Sequence, residues 1–154
     1  MYIPRYTIEL KRDGSLQADA RKITCSDNLR NLFATLMLKR DRETFYVLTL
    51  DRKNKVIGAN LVAVGSVSSA VVHPREVFKL AILQNAAAIA VGHNHPSGDC
   101  LPSAEDRGLT SRLVTSGRIL GIQVLDHIIL GDGTGLYYSF ADEGTLDTDR
   151  SISG

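Results

Sequence analysis

The sequence predicts a single α/β domain with a mixed central sheet flanked by helices, and three observations support this prediction. The chain has 154 residues, which falls within the ~100–200 residues of one ordinary domain. It is 44% hydrophobic and 23% charged, which is typical of globular proteins and excludes disordered, collagen-like and coiled-coil chains. Strand and helix patterns follow one another in the order β-α-β-β-α-β-α-β-β, which indicates a sheet covered by helices.

The first two predicted elements are a short strand and a helix. Alternating apolar residues from 6 to 10 predict the strand. Ser26 is a good N-cap for the helix, and Lys39 and Arg40 suit its C-terminal end. The apolar residues at helical spacing are Leu29, Leu32, Phe33, Leu36 and Met37. These residues predict an amphipathic helix with one face on the core.

A hairpin and a second helix come next. Residues 44–67 are rich in strand-forming residues and are interrupted by the polar turn 51–54, so they predict two antiparallel strands. Pro74 suits the first position of a helix that runs to about Asn85. That helix is apolar on several sides, and we expect it to be well buried.

The second half of the chain predicts three strands around one long helix. The continuous apolar run 86–92 is typical of a central strand buried on both faces, and we interpret 93–102 as a loop. A helix is expected over 103–121, followed by strands over 122–130 and 136–140. The helix between two strands is typical of a crossover connection.

Charge and cysteine content limit the function classes. The formal net charge is +1, and the basic residues are scattered, so we expect at most weak binding to nucleic acid. No stretch approaches the ~18 apolar residues of a membrane span, and the N-terminus lacks the apolar core of a signal peptide. Two cysteines are too few for a disulfide framework. These features predict a cytoplasmic protein.

Two histidines stand out after the predicted central strand. His93 and His95 are two residues apart, and Pro96 favours extended backbone at His95. Side chains two apart on an extended chain point to the same face, so the two imidazoles are placed to form two corners of a zinc site. An isolated pair of this kind is more often a pair of ordinary loop histidines.

The segment from Ser103 to Asp106 has two interpretations. Serine followed three residues later by aspartate is a variant of the helix capping box, and this explains both residues without any function. A helix start that faces the end of the strand would also bring Asp106 near the histidines. Three protein ligands and an open fourth position are the pattern of a catalytic zinc.

The combined pattern resembles the signature of the JAMM (MPN+ or JAB) metalloproteases. It consists of His93-x-His95, then seven residues, then Ser103-x-x-Asp106. The surrounding sequence is similar to the RadC family of bacterial proteins. The segments that carry this similarity are His93-Asn-His-Pro-Ser-Gly-Asp99, Pro102-Ser-Ala-Glu-Asp106, Val72-His-Pro-Arg-Glu-Val77 and Leu125-Asp-His127. The resemblance covers roughly residues 24–142, with 1–23 as an N-terminal extension and 143–154 as a flexible acidic tail.

The resemblance implies a cytidine-deaminase-like (JAB/MPN) fold and one zinc ion per chain. It implies His93, His95 and Asp106 as zinc ligands, with water as the fourth. It further implies that Glu43 is the general base that takes a proton from this water. Without the resemblance, Glu43 is an ordinary surface carboxylate before a strand. Ser103 is implied to donate a hydrogen bond to the oxyanion or to the water.

Three other residues near these motifs receive structural interpretations. His127 and Asp126 alternate on a strand, so at most one of them faces the site, and we expect His127 to be structural. His73 is expected near a helix N-cap. Cys100 lies between the implied ligands in the sequence. Its thiolate could bind zinc as an adventitious ligand, and this is the less favoured interpretation.

The function that the resemblance implies is zinc-dependent hydrolysis of a peptide or isopeptide bond in a peptide or protein substrate. The alternative is an accessory protein of DNA repair or DNA metabolism with a structural or vestigial metal site. Longer RadC proteins carry a DNA-binding-like region upstream, and we expect that region to be missing here, which weakens the alternative. A nucleobase deaminase is disfavoured because the H-x-E and C-x-x-C signatures are absent. The sequence does not specify the oligomeric state.

Overall fold

A five-stranded sheet organises the chain in the computed structural model, which describes residues 1–37, 41–67 and 71–146. The strands are β1 (Thr44–Leu50), β2 (Val56–Val64), β3 (Ala88–His95), β4 (Gln123–Gly131) and β5 (Tyr137–Ser139). The helices are α1 (Ser26–Leu36), α2 (Pro74–Val77), α3 (Lys79–Leu83) and α4 (Ala104–Leu120). The strand order is β2-β1-β3-β4-β5. β3 and β4 are parallel and joined by α4, and the other neighbours are antiparallel, which confirms the predicted mixed α/β class.

Helices cover both faces of this sheet, and each face has its own apolar core. α1 covers one face of the sheet, and the core between them includes Leu29, Phe33, Leu48, Ala90 and Ile128. The other face carries α2 to α4, with residues that include Phe45, Phe78, Ile89, Leu109 and Leu113. Successive residues of β3 alternate between the two cores, as strand geometry requires. The three-layer arrangement therefore buries the central strand on both faces.

The first helix begins one residue before the predicted start, because its cap differs. Ser26 was expected as the N-cap, whereas the N-cap is Cys25 and Ser26 is the first helical residue. The Asn28 side chain accepts hydrogen bonds from the backbone N–H of Thr24 at 2.9 Å and of Cys25 at 3.3 Å. The predicted C-terminal residues Lys39 and Arg40 lie outside the described residues.

The α4 helix has the predicted limits because both of its ends are capped. The Ser103 hydroxyl accepts from the Asp106 N–H at 3.1 Å, and Gly121 ends the helix at φ 71°, a left-handed conformation that glycine adopts readily. This is the longest described helix, at 17 residues. Over the described ranges, no helix is long and apolar enough to cross a membrane.

The N-terminal segment lacks the predicted strand. Residues 6–10 form no regular structure, and Tyr6 and Ile8 are 83% and 74% exposed. An alternating pattern makes a stable strand only when a neighbouring strand supplies hydrogen-bond partners, and this segment has none in the described sheet. Residues 147–154 of the predicted flexible tail lie outside the described residues.

The helix predicted over 74–85 is instead two short helices. α2 and α3 are separated at Phe78, whose side chain is fully buried. The expected burial holds only in part, because Val77, Phe78 and Ala81 are fully buried whereas Ile82 is 50% exposed. Burial at the inward positions alone is enough to hold such a short helix against the sheet.

The central strand is longer than predicted. The apolar run suggested that it ends at Gly92, with a loop from His93, but β3 continues to His95. Both neighbours extend the pairing, since His93 lies opposite Phe45 of β1 and His95 opposite Gly131 of β4. The two histidines are therefore strand residues with directions set by the sheet.

Candidate metal centre

The end of β3 and the first turn of α4 bring three ionisable side chains together. His93 and His95 are two apart on β3 and project toward α4, while Asp106 lies at the start of that helix. His93 Nε2 is 3.1 Å from His95 Nε2 and 3.2 Å from Asp106 Oδ1. His95 Nε2 is 3.2 Å from Asp106 Oδ2. The three side chains form a cluster whose potential ligand atoms all lie within 4.8 Å of one another.

These distances fit a metal ion. Ligands at ~2.0–2.1 Å in a tetrahedral site stand about 3.3 Å apart along each edge, which is close to the 3.1–3.2 Å separations found here. His93 and Asp106 side chains are 1% and 5% exposed, and His95 is 15% exposed. The cluster is therefore buried on one side and reaches the surface at His95.

The hydrogen bond on the far side of His95 leaves its Nε2 free to bind a cation. His95 Nδ1 is 2.7 Å from the Asp99 carbonyl oxygen, and a carbonyl only accepts, so Nδ1 carries the proton. In the neutral ring, Nε2 then presents a lone pair to the cluster. The Asp106 carboxylate also offers only lone pairs. Lone pairs that converge in this way require a cation among them.

Without a metal, a proton takes that place. The hydrogen bond to Asp106 outweighs burial and raises the pKa of His95 above its ordinary value. Burial alone would raise the pKa of Asp106, but the two neighbouring histidines and the Ser103 N–H together outweigh burial and hold that pKa well below its usual range. The carboxylate is therefore ionised and ready to act as a ligand.

The helix cap and the cluster share Asp106. Its Oδ2 accepts from the Ser103 N–H at 2.9 Å, while its own N–H donates to Ser103 Oγ at 3.1 Å. The two interpretations of this segment are thus compatible, since one side chain caps α4 and faces the histidines. The Ser103 hydroxyl acts as an acceptor in the cap and keeps its own proton.

Glu43 lies just before β1, on the same side of the sheet as His95. Its negative charge adds to the raised pKa of His95, after the larger effect of Asp106. Its Oε2 accepts from the Val67 N–H at 2.9 Å, and its carbonyl accepts from the Gly65 N–H at 2.8 Å. The loop that follows β2 therefore holds both the backbone and the side chain of Glu43.

Sequence reasoning missed Asn94, which lies between the two histidines and points to the opposite face. Its Oδ1 accepts from the Thr44 N–H at 2.8 Å, and its Nδ2 donates to the Arg42 carbonyl at 3.0 Å. Nδ2 also donates to Asp132 Oδ2 at 2.7 Å. This fully buried amide clamps the backbone on both sides of Glu43. Only the pairing of β1 with β3 reveals this role.

His127 also comes closer to the cluster than expected. It is fully buried, and its Nε2 lies 2.8 Å from His93 Nδ1, on the side away from the ligand atoms. Asp126 points the other way, where it accepts from Ser139 Oγ at 2.6 Å. As predicted, only one of these two neighbours faces the site.

The two remaining residues singled out in the sequence lie apart from the cluster. His73 is the N-cap of α2 and accepts from the Arg75 N–H at 3.2 Å. Cys100 is half-buried and free, and it does not belong to the candidate metal cluster found among the described residues. Their sequence motifs therefore add no metal ligand.

Comparison with known proteins identifies the family. A model described as the RadC-like JAB domain matches residues 23–145. A UPF0758 protein of Caldanaerobacter subterraneus subsp. tengcongensis is 46% identical over 133 residues, covering 86% of this chain and 56% of that protein. A UPF0758 protein of Methanosarcina mazei is 45% identical over 124 residues, covering 80% of this chain and 53% of that protein. A UPF0758 protein of Moorella thermoacetica is 58% identical over 93 residues, covering 60% of this chain and 41% of that protein. The chain thus spans about half the length of the curated relatives it matches. With its mixed sheet and its cluster of two histidines and one aspartate, the chain belongs to the RadC-like JAB domain family.

Proposed function

We propose that this domain is a zinc-dependent hydrolase that cleaves a peptide or isopeptide bond. The open side of the metal cluster is the observation that supports it. Structural zinc sites are closed by four protein ligands, whereas catalytic sites have three and keep a position for water or substrate. Among the described residues the cluster has three donors, and His95 remains 15% exposed at its edge.

The donor set suits zinc in particular. Imidazole nitrogens and a carboxylate oxygen are common zinc ligands, whereas magnesium and calcium prefer sites made of oxygen alone. When bound, zinc supplies Lewis acidity that activates water and polarises a scissile carbonyl. The protein contributes rigid positions, because β3 holds the two histidines and the α4 cap holds Asp106.

Glu43 is the proposed proton carrier of this hydrolysis. Its carboxylate takes the proton of the attacking water and delivers it to the leaving nitrogen as the C–N bond breaks and the new C–O bond forms. Such a carrier must be held within hydrogen-bond reach of the reacting groups. This role is supported by the bond from the Val67 N–H to the Glu43 carboxylate and by the Asn94 clamp on the neighbouring backbone, which restrain the position of Glu43.

Ser103 is the proposed donor to the developing oxyanion. Because its oxygen accepts from the Asp106 N–H, the direction of its side chain is set by the cap. The hydroxyl proton remains available for donation to the carbonyl oxygen as negative charge develops there. One serine would then serve both the start of α4 and the reaction.

The activity test compares the wild type with Glu43→Gln, both loaded with zinc. Glutamine still accepts from the Val67 N–H but cannot take a proton. Each protein is incubated with a random peptide library and with peptides joined through lysine ε-amides, and mass spectrometry counts new amino groups. We expect wild-type products and a rate lower by about 10²–10⁴ in the variant. A zinc-loaded wild type that releases no more product than the variant from either library contradicts the proposal.

The alternative function, an accessory protein of DNA metabolism with a structural metal, is tested by binding. The formal net charge of +1 favours weak, salt-sensitive contacts with DNA. Duplex DNA is titrated at about 150 mM salt, where non-specific contacts typically give a Kd of ~10⁻⁴–10⁻⁶ M. Submicromolar binding together with no hydrolysis would favour this alternative.

A further inference from the structure

The ring of His127 is held rigidly behind the ligand His93. Phe140 stacks on it with ring centroids 4.9 Å apart and planes at 11°, and the ring of Phe45 lies 5.7 Å away at 68°. The ring is fully buried against these two phenylalanines, and its hydrogen-bond partners are a hydroxyl and another imidazole. Because a buried charge without an opposite charge beside it is costly, the imidazole is neutral. A neutral imidazole has one N–H and one bare nitrogen, and the neighbours decide which is which.

Thr110 of α4 sets the position of that proton. Its hydroxyl oxygen is 2.7 Å from the Asp106 carbonyl oxygen and 2.7 Å from His127 Nδ1. The carbonyl can only accept, so the single hydroxyl proton of Thr110 goes to it. Thr110 must then accept from His127 Nδ1–H, which leaves His127 Nε2 bare.

The same reasoning gives the position of the ring proton on His93. His127 Nε2 is 2.8 Å from His93 Nδ1, and a bare Nε2 can only accept. His93 Nδ1 therefore carries the proton, and its Nε2 presents a lone pair toward His95 and Asp106. The hydrogen bonds form one directed path from the Asp106 carbonyl through Thr110 and His127 to His93.

We propose that Thr110 and His127 are positioning residues that hold His93 in its Nδ1–H tautomer and thereby keep Nε2 available for the metal. The inference rests on the proposed metal site and assigns no contact with substrate to either residue. Partners behind a ligating imidazole fix its tautomer and orientation, and their removal typically lowers metal affinity by ~10–100-fold. Here the path also ties the helix that carries Asp106 to the strand that carries His93.

The first test compares two variants of His127. His127→Phe keeps an aromatic ring in the aromatic pocket but accepts no hydrogen bond, whereas His127→Gln restores an acceptor for His93 Nδ1–H. Zinc affinity is measured by competition with a chelating dye. We expect His127→Phe to bind zinc about 10–100-fold more weakly and His127→Gln to recover most of the loss. Equal affinity of a folded His127→Phe and the wild type overturns the inference, as does a folded His127→Gln that binds no better than His127→Phe.

The second test changes Thr110, in case His127→Phe does not fold. Thr110→Val should weaken zinc binding, while Thr110→Ser should preserve it. Thr35→Val is the matched control, because the exposed Thr35 makes the same kind of hydroxyl bond to a carbonyl four residues earlier, at 3.0 Å, on α1. Thr110→Val with unchanged zinc affinity contradicts the inference. A loss of affinity in Thr35→Val equal to that in Thr110→Val also contradicts it.

A spectroscopic measurement separates this inference from the proposed function. Long-range proton–nitrogen correlations of the metal-free wild type should show the proton of His93 on Nδ1, and those of His127→Phe should show mixed tautomers. A wild type that binds no zinc overturns the proposed function, and the tautomer of His93 still tests the inference. A wild type that binds zinc but carries the metal-free His93 proton on Nε2 overturns the inference alone.

Discussion

The side chain of Asn94 binds the backbone of Thr44, with 2.8 Å between Thr44 N and Asn94 Oδ1. Thr44 directly follows Glu43, and Asn94 stands between His93 and His95. One amide therefore links the strand that carries two proposed zinc ligands to the segment that carries the proposed base. Because the amide points away from the cluster, it can set the position of Glu43 without contacting the metal.

Replacing Asn94 tests this link. Asn94→Ala leaves the half-buried Thr44 N–H and the Arg42 carbonyl without their side-chain partner, so we expect a loss of stability of about 1–3 kcal/mol in total. The hydrolytic rate should fall while zinc content stays at one per chain. Urea denaturation, elemental analysis and the peptide assay measure these three quantities. Asn31→Ala is the control, because that side chain is exposed on α1. Full activity in a folded Asn94→Ala would show that Glu43 needs no such clamp.

Zinc content tests the metal cluster directly. His95→Ala removes one of three donors, and we expect the purified variant to hold much less zinc than the wild type. His73→Ala is the matched control, since His73 caps α2 and lies outside the cluster. Elemental analysis of the three proteins gives the answer. Equal zinc in the wild type and His95→Ala would remove this cluster from consideration.

The sequence predicts well that His93, His95 and Asp106 come together, because their geometry is local. His93 and His95 share a face through strand alternation, and Asp106 is placed by the cap of the helix that follows. Because the three residues lie on one strand and on the helix that follows it, their proximity can be predicted without knowing the order of the other strands. The same locality explains why the limits of α4 agree with the prediction.

The contacts around this cluster are harder to predict because they depend on which strands are neighbours. Asn94 reaches Thr44 only because β1 pairs with β3, and His127 reaches His93 only because β4 lies on the other side of β3. The sheet order brings together residues 34 and 50 positions apart. Pairing also explains the length of β3, whereas residues 6–10 have a strand pattern without a neighbouring strand.

The pH dependence of stability should report on Asp126. Burial raises its pKa, although Ser139 Oγ and the Ala141 N–H donate to the carboxylate. A carboxyl with a raised pKa keeps its proton in the folded protein where the unfolded chain, with a pKa of ~3.9, has lost it. Its contribution to stability is therefore fully present below that value and is lost as the pH rises through the raised pKa.

Asp126→Asn isolates this effect because asparagine does not ionise. We expect the wild type to lose stability relative to Asp126→Asn as the pH is raised from about 4 toward neutral. Urea denaturation at several pH values measures the difference in unfolding free energy between the two proteins. Asp13→Asn, in the exposed N-terminal segment, is the control. A difference that stays constant, or that changes in favour of the wild type, contradicts the raised pKa.

Ser103 offers a way to separate a helix cap from a catalytic donor. Ser103→Ala removes both the cap acceptor and the hydroxyl proton, so we expect a loss of about 0.5–2 kcal/mol in stability and of about 10²–10³ in turnover. Ser103→Gly removes the same hydroxyl, yet glycine at an N-cap costs only a few tenths of a kcal/mol. The two variants should therefore differ in stability but share the same loss of rate, and Ser103→Thr should keep most of both. Thermal denaturation and the peptide assay measure the two effects. If Ser103→Gly retains wild-type turnover, Ser103 is a cap alone and the oxyanion donor must be another group.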